Sequence, residues 1–224
     1  MNDMFGLLTR NSVDLTACGI DEKTLITECR YVVLDTELTG LEVKKDSIVS
    51  IGAVAMTGGS IHLGETLYRL VSPETELRGE SVVVHGITPS DVAGKPTVGP
   101  ALDALLAFCE GAVVVGHFLS LDLKFLNKEL KRLDDRLFPC PVADTFRIHE
   151  WIREHDVTFG AHYKGMVQDT DLFTMAKKYH IQVSAAHNAL MDAFVTAQLF
   201  QRFLSFLPGL GVRTVKDLLR IGKP

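Results

Sequence analysis

The chain has few of the residues that mark membrane-spanning, disulfide-rich or metal-ribbon proteins. It contains one Trp, four Cys and eight Pro among 224 residues. No apolar run approaches the roughly 18 residues that a transmembrane helix requires. The cysteines are far apart and form no CxxC motif, which argues against a zinc ribbon or a disulfide framework. The first residues lack the basic-then-apolar order of a signal peptide. We therefore predict a folded cytoplasmic protein with free thiols and no membrane association.

Positive charge is also scarce, except near the C-terminus. Lys and Arg number 23 against 28 Asp and Glu, which gives a net charge of −5. This balance excludes a protein that holds duplex nucleic acid mainly through a basic surface. Residues 201–224 carry +4, however, and leave −9 for residues 1–200. Within this basic segment we predict a short helix over 215–221, capped by Thr214, and we expect Gly209 and Gly211 to loosen the chain.

Strand patterns come first along the chain, and helical patterns follow. Apolar runs predict an antiparallel meander of three strands over 31–34, 48–56 and 61–71. A short, wholly apolar strand is predicted over 112–115. Helices are predicted over 99–109, 119–133, 145–154, 169–179 and 188–207. This order indicates the α/β class, with a mixed sheet flanked by helices.

Two acidic residues stand at the end of the first predicted strand, in the motif DTELTGL (35–41). Side chains two positions apart on a strand share a face, so Asp35 and Glu37 are expected to project together. Adjacent carboxylates repel each other, and their oxygens favour a hard cation such as Mg²⁺ or Mn²⁺. The pair alone also fits a strand-end turn with solvated acids.

A second motif, GHFLSLD (116–122), lies where the short apolar strand runs into a helix. Asp122 falls in the first turn of that helix, which is also where ordinary helix electrostatics favour an acid. His117 follows a glycine at the strand end. We interpret this histidine as a structural residue.

A third motif, HNALMDA (187–193), opens the long C-terminal helix. If His187 lies in the loop before the helix, it is able to swing over a site that Asp192 enters rigidly. A histidine that titrates near neutrality is a suitable general base for activating water. A lone histidine at a helix entrance is nevertheless more often structural. The motif therefore indicates a functional site only in combination with the other two motifs.

Together and in this order, DTELTGL, GHFLSLDLKFL and HNALMDA resemble the three motifs of the DEDD 3′–5′ exonucleases of the histidine subtype. That family includes the proofreading epsilon subunits of bacterial DNA polymerase III. The resemblance implies a ribonuclease H-like fold with an exonuclease domain over 30–204. It leaves an N-terminal extension over 1–29 without an assigned role, and a basic C-terminal tail over 205–224.

The resemblance further implies a two-metal hydrolysis of terminal phosphodiesters that releases nucleoside 5′-monophosphates. Asp35, Glu37 and Asp192 would hold the cation that carries the attacking water. Asp35 would also reach the second cation, which Asp122 supports. His187 would take the proton from the nucleophile. The two cations are expected to be Mg²⁺ or Mn²⁺.

For substrate binding, the resemblance assigns the terminal nucleotide to Leu41, as an apolar contact to the base, and to His85 in the segment VHGIT. A turn histidine is an equally good interpretation of His85. This chain departs from the family at three positions. Phe118 replaces the usual Asn, Leu121 the usual aromatic residue and Leu38 the usual Thr. These differences imply intact metal ligands and an altered placement of the nucleic-acid strand.

The expected substrate is a single-stranded or mispaired 3′ end of DNA, in proofreading or repair. The net charge of −9 on residues 1–200 predicts weak intrinsic affinity for nucleic acid. The basic tail is therefore expected to tether the enzyme, for example to a polymerase or another replication or repair protein. Three alternatives remain open at this point. One is a 3′–5′ exoribonuclease of the same family, and another is an inactive exonuclease fold kept as a docking module. The third is a haloacid-dehalogenase-like phosphatase with Asp35 as nucleophile, which leaves the second and third motifs unexplained.

Overall fold

A computed structural model describes residues 15–156, 170–183 and 188–224. At its centre lies a five-stranded sheet of strand order β3-β2-β1-β4-β5. The strands are β1 (Arg30–Leu38), β2 (Ile48–Thr57), β3 (Ser60–Leu70), β4 (Val113–Gly116) and β5 (Val142–Asp144). The first three form an antiparallel meander, and β4 and β5 add in parallel to β1. The predicted α/β class and mixed sheet are confirmed.

Helices follow the meander, as the sequence predicts. In chain order they are α1 (Gly79–His85), α2 (Pro89–Val92), α3 (Val98–Phe108), α4 (Ser120–Asp134), α5 (Thr145–His155), α6 (Leu172–Lys178), α7 (Ala189–Phe206) and α8 (Val215–Ile221). A 3₁₀ turn, Leu207–Leu210, separates the last two. None of the helices in these described residues is both long and apolar enough to cross a membrane.

Three of these helices differ from the sequence predictions, because neither α1 nor α2 was predicted and α6 starts later than predicted. Helix α1 was not expected, because its run of three valines favours a strand when only propensity is considered. It ends at Gly86, whose φ of 71° provides the left-handed conformation that commonly stops a helix. Helix α6 begins at Leu172 rather than at 169, because the Asp171 carboxylate accepts a hydrogen bond from Thr174 N and caps it. Position 169 itself lies outside the described residues.

The sheet has a hydrophobic core on each face, and β1 contributes side chains to both cores. Tyr31 and Val33 point to the face covered by α5, α6, α7 and α8. Val32 and Leu34 point to the opposite face, which α3 and α4 cover. Because strand side chains alternate, Asp35 and Glu37 continue the row of Tyr31 and Val33, toward α7. The alternation thus decides which helix these acids meet.

Gly52 on β2 lets α7 approach the sheet closely. It pairs with Asp35 across the β1–β2 ladder. A Cβ atom at this position would lie 2.2 Å from the backbone of Ala189, at the start of α7. No other residue leaves room for this contact, since even the methyl of alanine overlaps the helix backbone. Gly52 therefore brings the first turn of α7 over the end of β1.

The basic tail over 205–224 packs into the main hydrophobic core, the one on the α7 face of the sheet. Its buried residues belong to the cluster on the α7 face and are Leu207, Val212, Val215 and Leu218. Gly211 adopts a φ of 87° and closes the 3₁₀ turn, so the expectation that it loosens the chain is wrong. The predicted helix over 215–221 and its Thr214 cap are confirmed.

Backbone hydrogen bonds hold the same segment in place. Ile26 N donates to Arg213 O at 3.0 Å, and Val215 N donates to Thr24 O at 2.9 Å. At the other end, Asp144 N donates to Gly222 O at 2.7 Å. The basic segment is therefore anchored to the N-terminal part of the chain and to the last strand of the sheet.

Candidate active site

Three carboxylates meet at the C-terminal end of β1. Asp35, Glu37 and Asp192 each offer one oxygen, and these oxygens lie within 4.8 Å of one another. Asp192 stands in the first turn of α7, whose start is fixed by Asn188; the amide oxygen of Asn188 accepts from Leu190 N and Met191 N. Strand alternation and helix capping thus deliver the three side chains to one point. The sequence prediction that Asp35 and Glu37 share a face is confirmed.

Asp122 reaches the same region from the other face of the sheet. It lies in the first turn of α4 and is buried. Thr36, whose side chain points away from Asp35 and Glu37, donates from Oγ1 to Asp122 Oδ1 at 2.6 Å. Thr36 is not recognisable from the sequence, because a hydroxyl between two acids on a strand has no distinctive pattern. Its role appears only when α4 packs beneath β1.

Burial and mutual repulsion raise the pKa values of this cluster. Removal from water raises the pKa of Asp35 well above its usual range, and the charges of Asp122, Glu37 and Asp192 add to the effect. Burial, with the Asp192 and Asp122 charges, raises the pKa of Glu37 to about 8. Burial raises the pKa of Asp122 to about 7 against the opposing effect of the Thr36 hydrogen bond. The charged forms therefore need a compensating positive charge.

The residues present fit divalent cations. All donors in the cluster are carboxylate oxygens, which is the donor type that Mg²⁺ and Mn²⁺ prefer. Glu37 Oε1 is buried and has no hydrogen-bond partner among the described residues. A buried, unsatisfied carboxylate oxygen is costly unless something binds it. A cation held between Glu37 and its neighbours would satisfy that oxygen.

Asp144 organises the loop that leads into α4. Its carboxylate accepts hydrogen bonds from Phe118 N at 3.2 Å, Leu119 N at 2.9 Å and Phe146 N at 2.8 Å. The three bonds join the start of α4 to the start of α5. Asp144 therefore positions Asp122 indirectly, through the backbone that begins its helix.

His117 is structural, in agreement with the sequence interpretation. Its Nδ1 lies 2.9 Å from Thr145 Oγ1, and its Nε2 lies 2.8 Å from Thr170 O. Burial lowers the pKa of His117, although the Asp144 carboxylate partly opposes this. A neutral ring that bridges two elements on both nitrogens serves to fix them.

Hydrogen bonds to a buried carboxylate fix the loop that follows β1. The buried Asp46 carboxylate accepts from Glu42 N at 2.8 Å and from Thr39 Oγ1 at 3.3 Å. It lies so close to Gly40 that a Cβ there would be 2.5 Å from Asp46 Oδ2. Leu41, which follows Gly40 in this loop, is 74% exposed.

Three further residues were predicted to act in substrate binding or catalysis, namely His85, Leu41 and His187. His85 is buried at the end of α1, where its Nδ1 accepts from Ile87 N at 3.0 Å. This contact fits the turn-histidine interpretation and leaves its substrate role a prediction. The exposure of Leu41 suits a contact with a base, and that role is also still a prediction. His187 lies outside the described residues.

Comparison with known proteins agrees with this geometry. The model of the family described as Exonuclease (RNase_T) matches residues 32–200. A DNA polymerase III subunit epsilon of Aquifex aeolicus is 30% identical over 79% of this chain and 81% of its own length. A DNA polymerase III subunit epsilon-like protein of Rhodobacter capsulatus is 35% identical over 88% of this chain.

Some relatives are much longer than this chain. It spans 27% of the Rhodobacter protein and 14% of a PolC-type DNA polymerase III of Thermotoga maritima. Among solved structures, Exonuclease X in complex with 5′ overhanging duplex DNA matches with a TM-score of 0.60 and 21% identity, over 85% of this chain and 98% of the other. At that identity the structural match shows a shared fold.

The family match excludes the phosphatase interpretation, in which the second and third motifs had no role. It covers β1, α4 and most of α7, the elements that carry all four carboxylates. The protein is thus a nuclease of the exonuclease family, with the motifs of the DEDD 3′–5′ exonucleases of the histidine subtype.

Proposed function

We propose that this protein is a metal-dependent 3′–5′ exonuclease that removes nucleotides from single-stranded or mispaired 3′ ends of DNA and releases nucleoside 5′-monophosphates. The observation that carries the proposal is the convergence of Asp35, Glu37 and Asp192 at the end of β1, with one buried Glu37 oxygen unsatisfied. The negative charges do not stabilise the fold, because the three acids repel one another.

In this proposal the carboxylates divide between two cation positions. Asp35, Glu37 and Asp192 would hold one cation, and Asp35 and Asp122 would help to hold a second. Bound divalent cations make water a better nucleophile at neutral pH and neutralise charge on the phosphodiester. His187 accepts the proton of the attacking water, and Thr36 keeps Asp122 oriented. The cations are Mg²⁺ or Mn²⁺ in the cell.

DNA is the proposed substrate because the relatives named above are a DNA polymerase III subunit epsilon, an epsilon-like protein and a PolC-type DNA polymerase III. The matching Exonuclease X structure also holds DNA. Leu41 and His85 are proposed to hold the terminal nucleotide. The acidic body, at −9 for residues 1–200, predicts weak binding before cations are added. We place the enzyme in the cytoplasm, in proofreading or repair.

The direct test is product analysis with the purified chain. Single-stranded, mispaired and fully paired DNA with a 5′ label, and a matched RNA, are incubated with Mg²⁺, Mn²⁺ or EDTA. We expect metal-dependent shortening from the 3′ end with release of mononucleotides. Asp192→Asn should lose activity, whereas Asp103→Asn, a control at an exposed acid of α3, should retain it. Absence of metal-dependent mononucleotide release would overturn the proposal, and preference for the RNA would replace DNA with RNA.

A second variant tests the proton acceptor. His187→Ala should slow turnover while leaving cation binding intact, because imidazole acts on the water and not as a ligand in this scheme. Turnover is followed by mononucleotide release, and Mn²⁺ affinity by calorimetry. Loss of Mn²⁺ binding in this variant would contradict the general-base assignment.

We further propose that the basic tail over 205–224 tethers the enzyme to a partner or to DNA. Removing residues 208–224 would take away core residues such as Leu218, so truncation mixes folding with tethering. Neutralising the exposed cations Arg213, Lys216, Arg220 and Lys223 leaves that core in place. We expect weaker capture of a polymerase or another replication or repair protein, or of DNA. If neither capture changes, the segment is not a tether.

A further inference from the structure

An aromatic side chain is exposed to solvent just before α4, the helix that carries Asp122. Phe118 stands four positions before Asp122, and its side chain is 40% exposed. Its φ is 53°, a left-handed conformation that a bulky residue rarely adopts. The left-handed backbone of Phe118 thus presents an exposed ring to solvent.

The surrounding hydrogen bonds fix Phe118 in this conformation. Asp144 accepts from Phe118 N and Leu119 N, as described above, and Leu121 N donates to Phe118 O at 3.0 Å. The backbone before and after the ring is therefore tied to β5 and to α4. A strained residue held by several bonds points to a use for its side chain.

Phe118 belongs to a small aromatic surface with a cation at its edge. The ring centroids of Phe118 and Phe146 are 4.7 Å apart, at an interplanar angle of 33°. His117 packs edge-on against Phe118, with centroids also 4.7 Å apart. The guanidinium of Arg147, an exposed residue, lies 5.8 Å from the centre of the Phe146 ring. Flat rings beside an exposed guanidinium suit the base and the phosphate of a nucleotide.

The position of this surface indicates which nucleotide it would meet. Phe118 follows β4 and Phe146 follows β5, so both lie on the β5 side of the carboxylates on β1. Leu41 directly follows β1. His85 follows β3 in the chain, and its neighbour Ile87 packs on Val49 of β2. The aromatic surface and His85 therefore lie on opposite sides of the carboxylates.

We propose that Phe118 and Phe146 stack against an unpaired base upstream of the terminal nucleotide, and that Arg147 pairs with a phosphate of the same strand. This subsite rests on the proposed exonuclease function and defines how that activity selects a single strand. A paired base cannot leave its own stack to lie on these rings, so the surface favours frayed ends. Phe118 takes the place of a residue that is usually Asn in the related motif, so the proposed stacking contact departs from that motif.

The test compares a substrate that reaches the surface with one that does not. The first is a short single-stranded oligothymidylate, and the second is the p-nitrophenyl ester of thymidine 5′-monophosphate, which has one nucleotide only. Phe118→Asn removes the ring and keeps a residue that tolerates positive φ. Phe146→Leu keeps apolar volume without the flat face. Phe206→Ala is the matched control, because Phe206 is also 40% exposed but lies at the far end of α7.

We expect Phe118→Asn to raise KM for the oligothymidylate about 10-fold, in line with the usual contribution of base stacking. Turnover at saturation and hydrolysis of the ester should be unchanged, Phe146→Leu should act in the same direction, and Phe118→Trp should restore KM. An unchanged oligothymidylate KM, or an equal loss on both substrates, would overturn the subsite. An equal loss would show that Phe118 only positions Asp122. Inactivity of the unmodified chain on both substrates would instead contradict the proposed function.

Discussion

Thr36 Oγ1 donates a 2.6 Å hydrogen bond to Asp122 Oδ1, and this bond connects the two faces of the sheet at the active site. Thr36 lies between Asp35 and Glu37 on β1, but its side chain turns toward α4. The same three-residue stretch therefore presents two carboxylates to α7 and orients a third carboxylate on the opposite side. The four acids depend on one strand for their arrangement.

Replacing Thr36 should weaken the site without removing a ligand. Thr36→Val keeps the shape and deletes the donor, so the pKa of Asp122 should rise further and its carboxylate should lose its orientation. We expect divalent-cation affinity to fall roughly 10-fold or more, the usual effect of losing a partner that orients a metal ligand. Thr66→Val, on the exposed strand β3, is the control. Equal Mn²⁺ titrations of the two variants would contradict this role.

Gly52 should tolerate no side chain. In Gly52→Ala the new methyl overlaps the backbone at Ala189, so α7 and Asp192 must shift away from β1. We expect a loss of about 1–3 kcal/mol in the free energy of unfolding, the usual result of overpacking, together with loss of nuclease activity. Gly64→Ala, where a Cβ meets no atom within 4 Å, serves as the reference. Urea unfolding of both variants measures the difference in their free energies of unfolding. Equal values would show that α7 does not need this contact.

Without cations, the stability of the protein should decrease as pH rises from about 4.5 toward 8. The pKa of Glu37 is raised from 4.5 to about 8 in the folded state, so folding favours the protonated form. The stabilisation is complete below the unfolded pKa and is lost as pH rises through the folded pKa. Mg²⁺ or Mn²⁺ should reverse the loss, because cation binding favours the charged carboxylates.

Thermal unfolding in EDTA across this pH range measures the effect, and Glu37→Gln provides the comparison. That variant should show a flatter pH profile and a smaller response to Mg²⁺. A melting temperature in EDTA that rises between pH 5 and 8 would contradict the pKa assignment.

The C-terminal segment should contribute to stability. Leu218 is fully buried in the main core, so Leu218→Ala is expected to cost about 2–5 kcal/mol of the free energy of unfolding. Leu137→Ala, at a residue that is 43% exposed, should cost much less. Equal urea midpoints for the two variants would mean that residues 215–221 do not pack as described.

The sequence predicts the repetitive features well and the contacts across the sheet poorly. The strand end with Asp35 and Glu37 follows from alternation alone, and the start of α7 follows from the capping residue Asn188. Thr36, Gly52 and Asp46 carry no local signal, because their importance comes from elements far away in the chain. Gly209 and Gly211 alone suggest a loose chain, whereas the buried Val212, Val215 and Leu218 pack their segment into the core.

The most direct measurement of the central claim is a calorimetric titration with Mn²⁺. If Asp35, Glu37 and Asp192 form a cation site, the unmodified protein should bind Mn²⁺ near neutral pH and release protons, since the raised pKa values leave some carboxylates protonated. Glu37→Gln should lower the affinity strongly, whereas Asp103→Asn should not change it. Binding of Mn²⁺ that is equal in all three proteins would contradict the account.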